Sequence, residues 1–292
     1  MRKVALSVAL PWLLVLLVGA ALYGIVYYAT LISGNVIFFA AVLLVGAVTV
    51  PAAFMMYASW LAGAESVPVT TLGMAAAVGG VVGVAISGVV EIATLPGRHL
   101  VVANLGIGLI EESTKLIVPL ALFLAARRFR RREIDGLLIG LAVGTGFAAI
   151  ETAGYGLQAL LNSNGSLHAL DEVMRVRAMA GPPGHLAWTG LATVALWRLC
   201  VRRSGRRLVG FLAMFGLVVV LHGLWDLKGV WWMYASLSVI GLSLLHYQLW
   251  RVRPVVPLSL PPFSLPPFSL PPSPLIKEER AETVSGLPRV LP

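Results

Sequence analysis

Eight stretches of this chain are apolar for about as long as a lipid bilayer is thick. They fall at about 4–31, 35–62, 69–95, 101–126, 134–161, 185–201, 208–229 and 231–250. A helix needs about 20 mostly apolar residues to cross a hydrocarbon layer of ~30 Å. Lipid offers no partner to a backbone N–H or C=O, so runs of this length fold as helices that pair those groups internally. The sequence therefore predicts an all-α integral membrane protein, with about eight transmembrane helices in a bundle. Charged residues make up only 12% of the chain, about half the share in a soluble domain. The sixth run is short, and its start is set by Pro182-Pro183-Gly184.

The formal charge of +9 would suit a nucleic-acid partner if it formed one patch. Instead the basic residues cluster at Met1-Arg2-Lys3, "RRFRRR" (127–132), "RRSGRR" (202–207) and "RVR" (251–253). With eight spans all four clusters fall on one side, as the positive-inside rule requires of the cytoplasm. The charge thus reports topology, with both termini cytoplasmic, a multi-pass protein of the plasma membrane and no nucleic-acid partner. The first apolar run far exceeds the ~7–15 residues of a signal-peptide core, and reads as a retained span. A single cysteine, Cys200, leaves no internal disulfide and no multi-cysteine metal site.

The spans divide into an N-terminal group over 1–95 and a core group over 96–250 that holds the ionisable residues taken up below, followed by a tail over 251–292. That tail contains "SLPPFSLPPFSLPPS", a repeat that favours extended conformations and builds no core, so it is expected to be disordered and cytoplasmic. The link 162–184 is expected outside, with a short interfacial helix. Gly136, Gly140 and Gly144, and likewise Gly79 and Gly83, recur at i+4, a spacing that lets helix backbones approach closely.

Against this apolar background, "EESTK" (111–115) puts two acids and a lysine inside the fourth span. A charge at the bilayer centre costs about 2.5–3.5 kcal/mol on insertion scales. At ~100° per residue, Glu111, Glu112 and Lys115 share one helix face, with Lys115 between the two acids. An ion pair of Glu111 with Lys115 would leave Glu112 without a partner. Other spans carry candidates: Phe147 and Glu151 in "FAAIE", His185 in "PPGHLAWTG", and His222 with Asp226 in "HGLWD". Singly, each has a bland explanation in packing or an interfacial position. At ~1.5 Å per residue, however, the acids and imidazoles of four spans fall between the midplane and the outer interface.

Carboxylates and two histidines in a partly dry pocket allow two related hydrolyses. A glutamate can act as general base on water while a histidine stabilises the oxyanion. Alternatively His185, His222, Glu112 and Asp226 can hold a divalent metal such as zinc that activates the water. The chain has no HExxH, Gly-x-Ser-Gly or Gly-x-Gly-Asp, which excludes zincin, rhomboid and presenilin motifs. Acids and histidines in membranes also form proton relays, so a proton- or ion-coupled transporter is the alternative. No similarity between the first and last four spans supports the inverted repeats typical of that class.

"EESTK", "FAAIE" and "HGLWD" fit EExxK, FxxxE and HxxxD in order, each on its own span. Over about residues 100–230 the chain resembles the PrsW family of intramembrane proteases, related to the CAAX-prenyl endopeptidase and Abi group. The resemblance implies cleavage of a membrane-anchored protein near the extracytoplasmic face, an anti-sigma factor in the member that names the family. It carries function to Glu111, Glu112, Lys115, Phe147, Glu151, His222 and Asp226; His185 is added from its depth and its loop. Both metal-dependent and glutamate-based mechanisms have been described for the group.

Overall fold

A computed structural model describes residues 2–63 (side chains from 11), 67–126, 132–227 and 230–252. The proline repeat and most of the 127–132 basic cluster lie outside the described residues, as does the expectation of a disordered tail. Among the described residues the regular structure is entirely helical: α1 Arg2–Ser33, α2 Ile37–Ala62, α3 Val69–Thr94, α4 Leu100–Lys115, α5 Ile117–Ala125, α6 Glu133–Asn162, α7 Leu167–Ala180, α8 Ala187–Val201, α9 Gly205–Asp226 and α10 Trp231–Val252. One wide π-type turn, Pro182–Leu186, joins α7 to α8.

Among the described residues, five helices are long and apolar enough to cross a membrane: Pro11–Ser33 within α1, then α2, α3, α6 and α9. The other three expected spans depart from an uninterrupted apolar helix for local reasons. The fourth breaks at Leu116 into α4 and α5, because Pro119 has no N–H to offer the carbonyl of Lys115. The sixth is the 15-residue α8. The eighth, α10, is diluted by Trp231, Trp232, Tyr234, His246 and Gln248.

The link 162–184 is not a simple surface loop. Ser166 caps α7 by accepting from the Ala169 N–H at 3.3 Å. Leu170 and Met174 of α7 then bury against Val42 of α2 and Leu160 of α6. Thus α7, the proline turn and α8 form one broken element packed along α6. His185, expected at the mouth of a span, is instead only 7% exposed.

Helix α6 is the centre of the bundle, with α2, α3, α7 and α8 around it. The glycine stripe makes that possible: Gly136 faces Trp197, Gly140 faces Thr193, and Gly144 faces the backbone of His185. A Cβ at Gly144 would stand 2.5 Å from the His185 carbonyl oxygen, so the stripe sets where the histidine turn can sit. On the other side Gly83 of α3 lies against the Phe147 ring. Helices α2 and α3 pack directly on α6.

Candidate active site

The break after Lys115 ends α4 with its polar face turned fully inward. Lys115 and Glu112 are 0% exposed and Glu111 is 6% exposed. The Lys115 ammonium donates to Glu111 Oε2 at 2.9 Å and to Glu112 Oε1 at 2.8 Å, and lies 2.9 Å from His185 Nδ1. Its three protons therefore meet three acceptors. The same nitrogen stands 3.9 Å from the centroid of the Phe147 ring, whose electron-rich face attracts a cation. Phe147, the aromatic of the FxxxE motif, is thus the floor under the lysine.

Each histidine is held at one ring nitrogen by a carboxylate. His222 Nδ1 lies 2.9 Å from Glu112 Oε1, and His185 Nε2 lies 2.7 Å from Glu151 Oε2. The opposite nitrogens then face Glu111: Oε2 is 3.4 Å from His222 Nε2 and 3.9 Å from His185 Nδ1. Asp226, at the end of α9, approaches His222 Nε2 at 3.5 Å. The rings of His185 and His222 meet edge to face with centroids 5.2 Å apart, and Trp188 packs against both. All seven titratable residues expected from the motifs and from depth therefore converge.

Three residues at the site carry no motif. Arg177 of α7 forms an ion pair with Glu151, donates from Nε to Thr152 Oγ1 at 3.1 Å, and stacks on Tyr155. Its signal was an arginine eight residues before His185, hidden by reading 162–184 as an outer link. Glu91 of α3 faces the charges of Glu111, Glu151, His222 and Asp226 and has one buried oxygen without a partner. A lone acid in the third apolar run was the available clue. Trp188 is the fully buried aromatic wall.

Glu111, His185 and His222 each offer a ligand atom, all within 4.8 Å of one another. The donor set fits a divalent ion. It supplies one carboxylate and two imidazoles, each imidazole anchored through its other nitrogen, the usual support for metal-ligating histidine. Glu111, Glu112, Glu151 and Asp226 also outnumber the cations Lys115 and Arg177, an excess that a divalent ion would offset. The expected ligand set differs from this group in its acids. Glu112 is engaged by Lys115 and by His222 Nδ1, and Glu111 supplies the carboxylate of the group; Asp226 Oδ2 reaches the same His222 Nε2 at 3.5 Å. Lys115 shares Glu111 Oε2 and His185 Nδ1 with any such ion, so binding requires the ammonium to withdraw from them.

A protein-family model described as "PrsW family intramembrane metalloprotease" matches residues 67–252, more than half of the chain. The chain belongs to the PrsW family. It is accordingly a multi-pass membrane protein and a peptidase of a family whose chemistry uses a metal, and the transporter reading loses its support. No curated protein and no solved structure is significantly similar to it.

Proposed function

We propose that this protein cleaves a membrane-anchored protein substrate at a peptide bond near the extracytoplasmic face of the plasma membrane. The observation that carries the reading is the juxtaposition of the Glu111–His185–His222 group with Glu112, whose Oε2 is buried and meets no donor among the described residues. A fully buried carboxylate oxygen without a partner is costly. In this reading it is the oxygen that accepts a proton from the attacking water.

In this reading Glu112 takes one proton from the attacking water as the water oxygen bonds to the scissile carbonyl carbon. The C–N bond then breaks, and the proton passes from Glu112 to the departing amine. Lys115, once withdrawn from Glu111 and His185, supplies a donor for the oxyanion that develops on the carbonyl oxygen. His222 holds Glu112 in register through Nδ1, and Asp226 lies beside the Nε2 edge of the same ring, where it would join the residues that hold a bound ion. A divalent ion such as zinc, held by Glu111, His185 and His222, supplies Lewis acidity to this site when bound. Glu151 holds His185, and Phe147 holds Lys115.

The test compares membrane-protein N-termini in cells that express wild type or Glu112→Gln at equal levels. New termini close to the outer ends of transmembrane segments, present only with wild type, are expected and would name the substrate, anti-sigma factor or other. Identical termini in the two strains would overturn the reading.

A further inference from the structure

The most complete polar arrangement outside the motifs is the one around Arg177. Its guanidinium makes three separate contacts on one face of α6: the Glu151 carboxylate, Thr152 Oγ1 at 3.1 Å, and the ring of Tyr155, 4.5 Å from Cζ to centroid. Glu151 and Thr152 are neighbours and Tyr155 lies one turn further on, so the arginine is fixed in position as well as in charge. A planar fork meeting one acid, one hydroxyl and one aromatic face is a task lysine cannot reproduce. Glu151 in turn is the partner of His185 Nε2, at 2.7 Å.

We infer that Arg177 is a positioning residue, acting through Glu151 to fix the ring of His185 in the orientation that the Glu111–His185–His222 group requires. Glu151 alone is held by one helix and could reach His185 in several rotamers. Arg177 selects one, because it binds the same oxygen, Oε2, that meets His185 Nε2. The arginine is also covalently close to its target. It lies on α7, joined to His185 through Gly181, Pro182, Pro183 and Gly184, all within the buried turn except the glycine that opens it. The chain Arg177–Glu151–His185 and the proline turn thus fix the histidine from two sides, through its ring and through its backbone. Helix α7, a surface feature by its sequence, thereby becomes part of the machinery.

This inference rests on the peptidase reading for its consequence in catalysis but not for its geometry, and the test separates the two. The full-length protein is purified as wild type, Arg177→Gln, Arg177→Lys, Glu151→Gln and the Arg177→Gln/Glu151→Gln double variant. Zinc affinity is measured by competition with a chromophoric chelator, alongside cleavage of the substrate identified by the N-terminus comparison. Partners that orient a ligating histidine are worth about 10–100-fold in metal affinity or activity. Arg177→Gln is therefore expected to weaken zinc binding about tenfold and to lower kcat with little change in KM. Arg177→Lys is expected to fall between Gln and wild type. The double variant is expected to bind zinc no more weakly than Glu151→Gln alone, since both changes interrupt one chain of contacts.

Zinc affinity within twofold of wild type in Arg177→Gln, or losses that multiply in the double variant, would overturn the inference. If Arg177→Gln does not fold, Arg177→Lys decides, because undiminished zinc binding in that variant overturns the inference equally. Weakened zinc binding in a protein whose wild type cleaves nothing would leave Arg177 in its role and sink the peptidase reading instead.

Discussion

His222 and Glu112, 110 positions apart in sequence, meet through Nδ1 and Oε1 at 2.9 Å with both side chains sealed from the surface. The contact commits one carboxylate oxygen to orienting an imidazole and leaves the other, Oε2, without a donor. One residue thereby serves both as support and as candidate base, and the two duties can be separated by chemistry at a single atom.

Glu112→Gln keeps a carbonyl oxygen that accepts from His222 and Lys115 but removes the basicity of the site. Cleavage is expected to fall by about 10²–10⁴, the usual contribution of a positioned general base, while the protein still inserts and melts cooperatively. Rates with purified protein and a thermal melt check both halves. An active Gln variant would remove Glu112 from the role of base.

Lys115 is a fully buried cation whose loss leaves two acids facing each other. Removing one partner of a buried ion pair typically costs about 3–5 kcal/mol. Lys115→Met is therefore expected to lower the melting temperature well below that of Glu112→Gln. Added zinc is expected to recover more stability in Lys115→Met than in wild type, since the ion no longer competes with the ammonium for Glu111 and His185. Melting curves with and without zinc measure this, and equal recovery in the two proteins would argue against a shared position.

How much of this was legible in the sequence depends on the kind of signal each residue sends. Glu111, Glu112, Lys115, His222 and Asp226 stand out because a charge inside an apolar run is costly, and helical spacing alone places them on shared faces. His185 was visible at the outer end of a span, but its burial was not: the residues before it are polar, and only the packing of Leu170 and Met174 on α2 and α6 shows that α7 accompanies α8. Arg177 was hidden for the same reason. The choice of Glu111 over Glu112 beside the two histidines depends on rotamers, about which helical periodicity says nothing. The breaks after Lys115 and before Ala187 were signalled by Pro119 and Pro182-Pro183, which hydropathy averaging passes over.

Two glycines of α6 give a paired test of packing near the site. Gly144 lies against the His185 backbone, where a Cβ would stand 2.5 Å from the carbonyl oxygen. Gly154 has nothing within 4 Å of the same atom. Gly144→Ala is expected to cost about 1–3 kcal/mol, as overpacking usually does, and to lower cleavage by displacing His185. Gly154→Ala is expected to stabilise the helix by up to about 1 kcal/mol and to leave cleavage unchanged. Melting temperatures and rates for the two variants check this, and a harmless Gly144→Ala would refute the tight seat of the histidine turn.

The adjacent glutamates are expected to separate in their dependence on metal. Glu111 Oε2 is the oxygen facing the imidazole nitrogens turned away from Glu112 and Glu151, His222 Nε2 at 3.4 Å and His185 Nδ1 at 3.9 Å. Glu112 touches the same histidine only from its far side, through Nδ1. Glu111→Gln loses the ligand charge, whereas Glu112→Gln keeps an acceptor for His222 Nδ1 and loses only the charge that strengthens it, worth about tenfold in affinity. Glu111→Gln is thus expected to reduce zinc affinity at least a hundredfold, and Glu112→Gln about tenfold, with cleavage abolished in both. Wild type stripped by a chelator is expected to lose cleavage and to regain it on adding zinc. Raising zinc is expected to rescue neither variant, Glu111→Gln because the ligand charge is gone and Glu112→Gln because occupancy was never its defect. Titration of cleavage against free zinc in all three proteins tests this. Should Glu112→Gln bind zinc more weakly than Glu111→Gln, the ligand would be Glu112, and the assignment of the two acids would reverse.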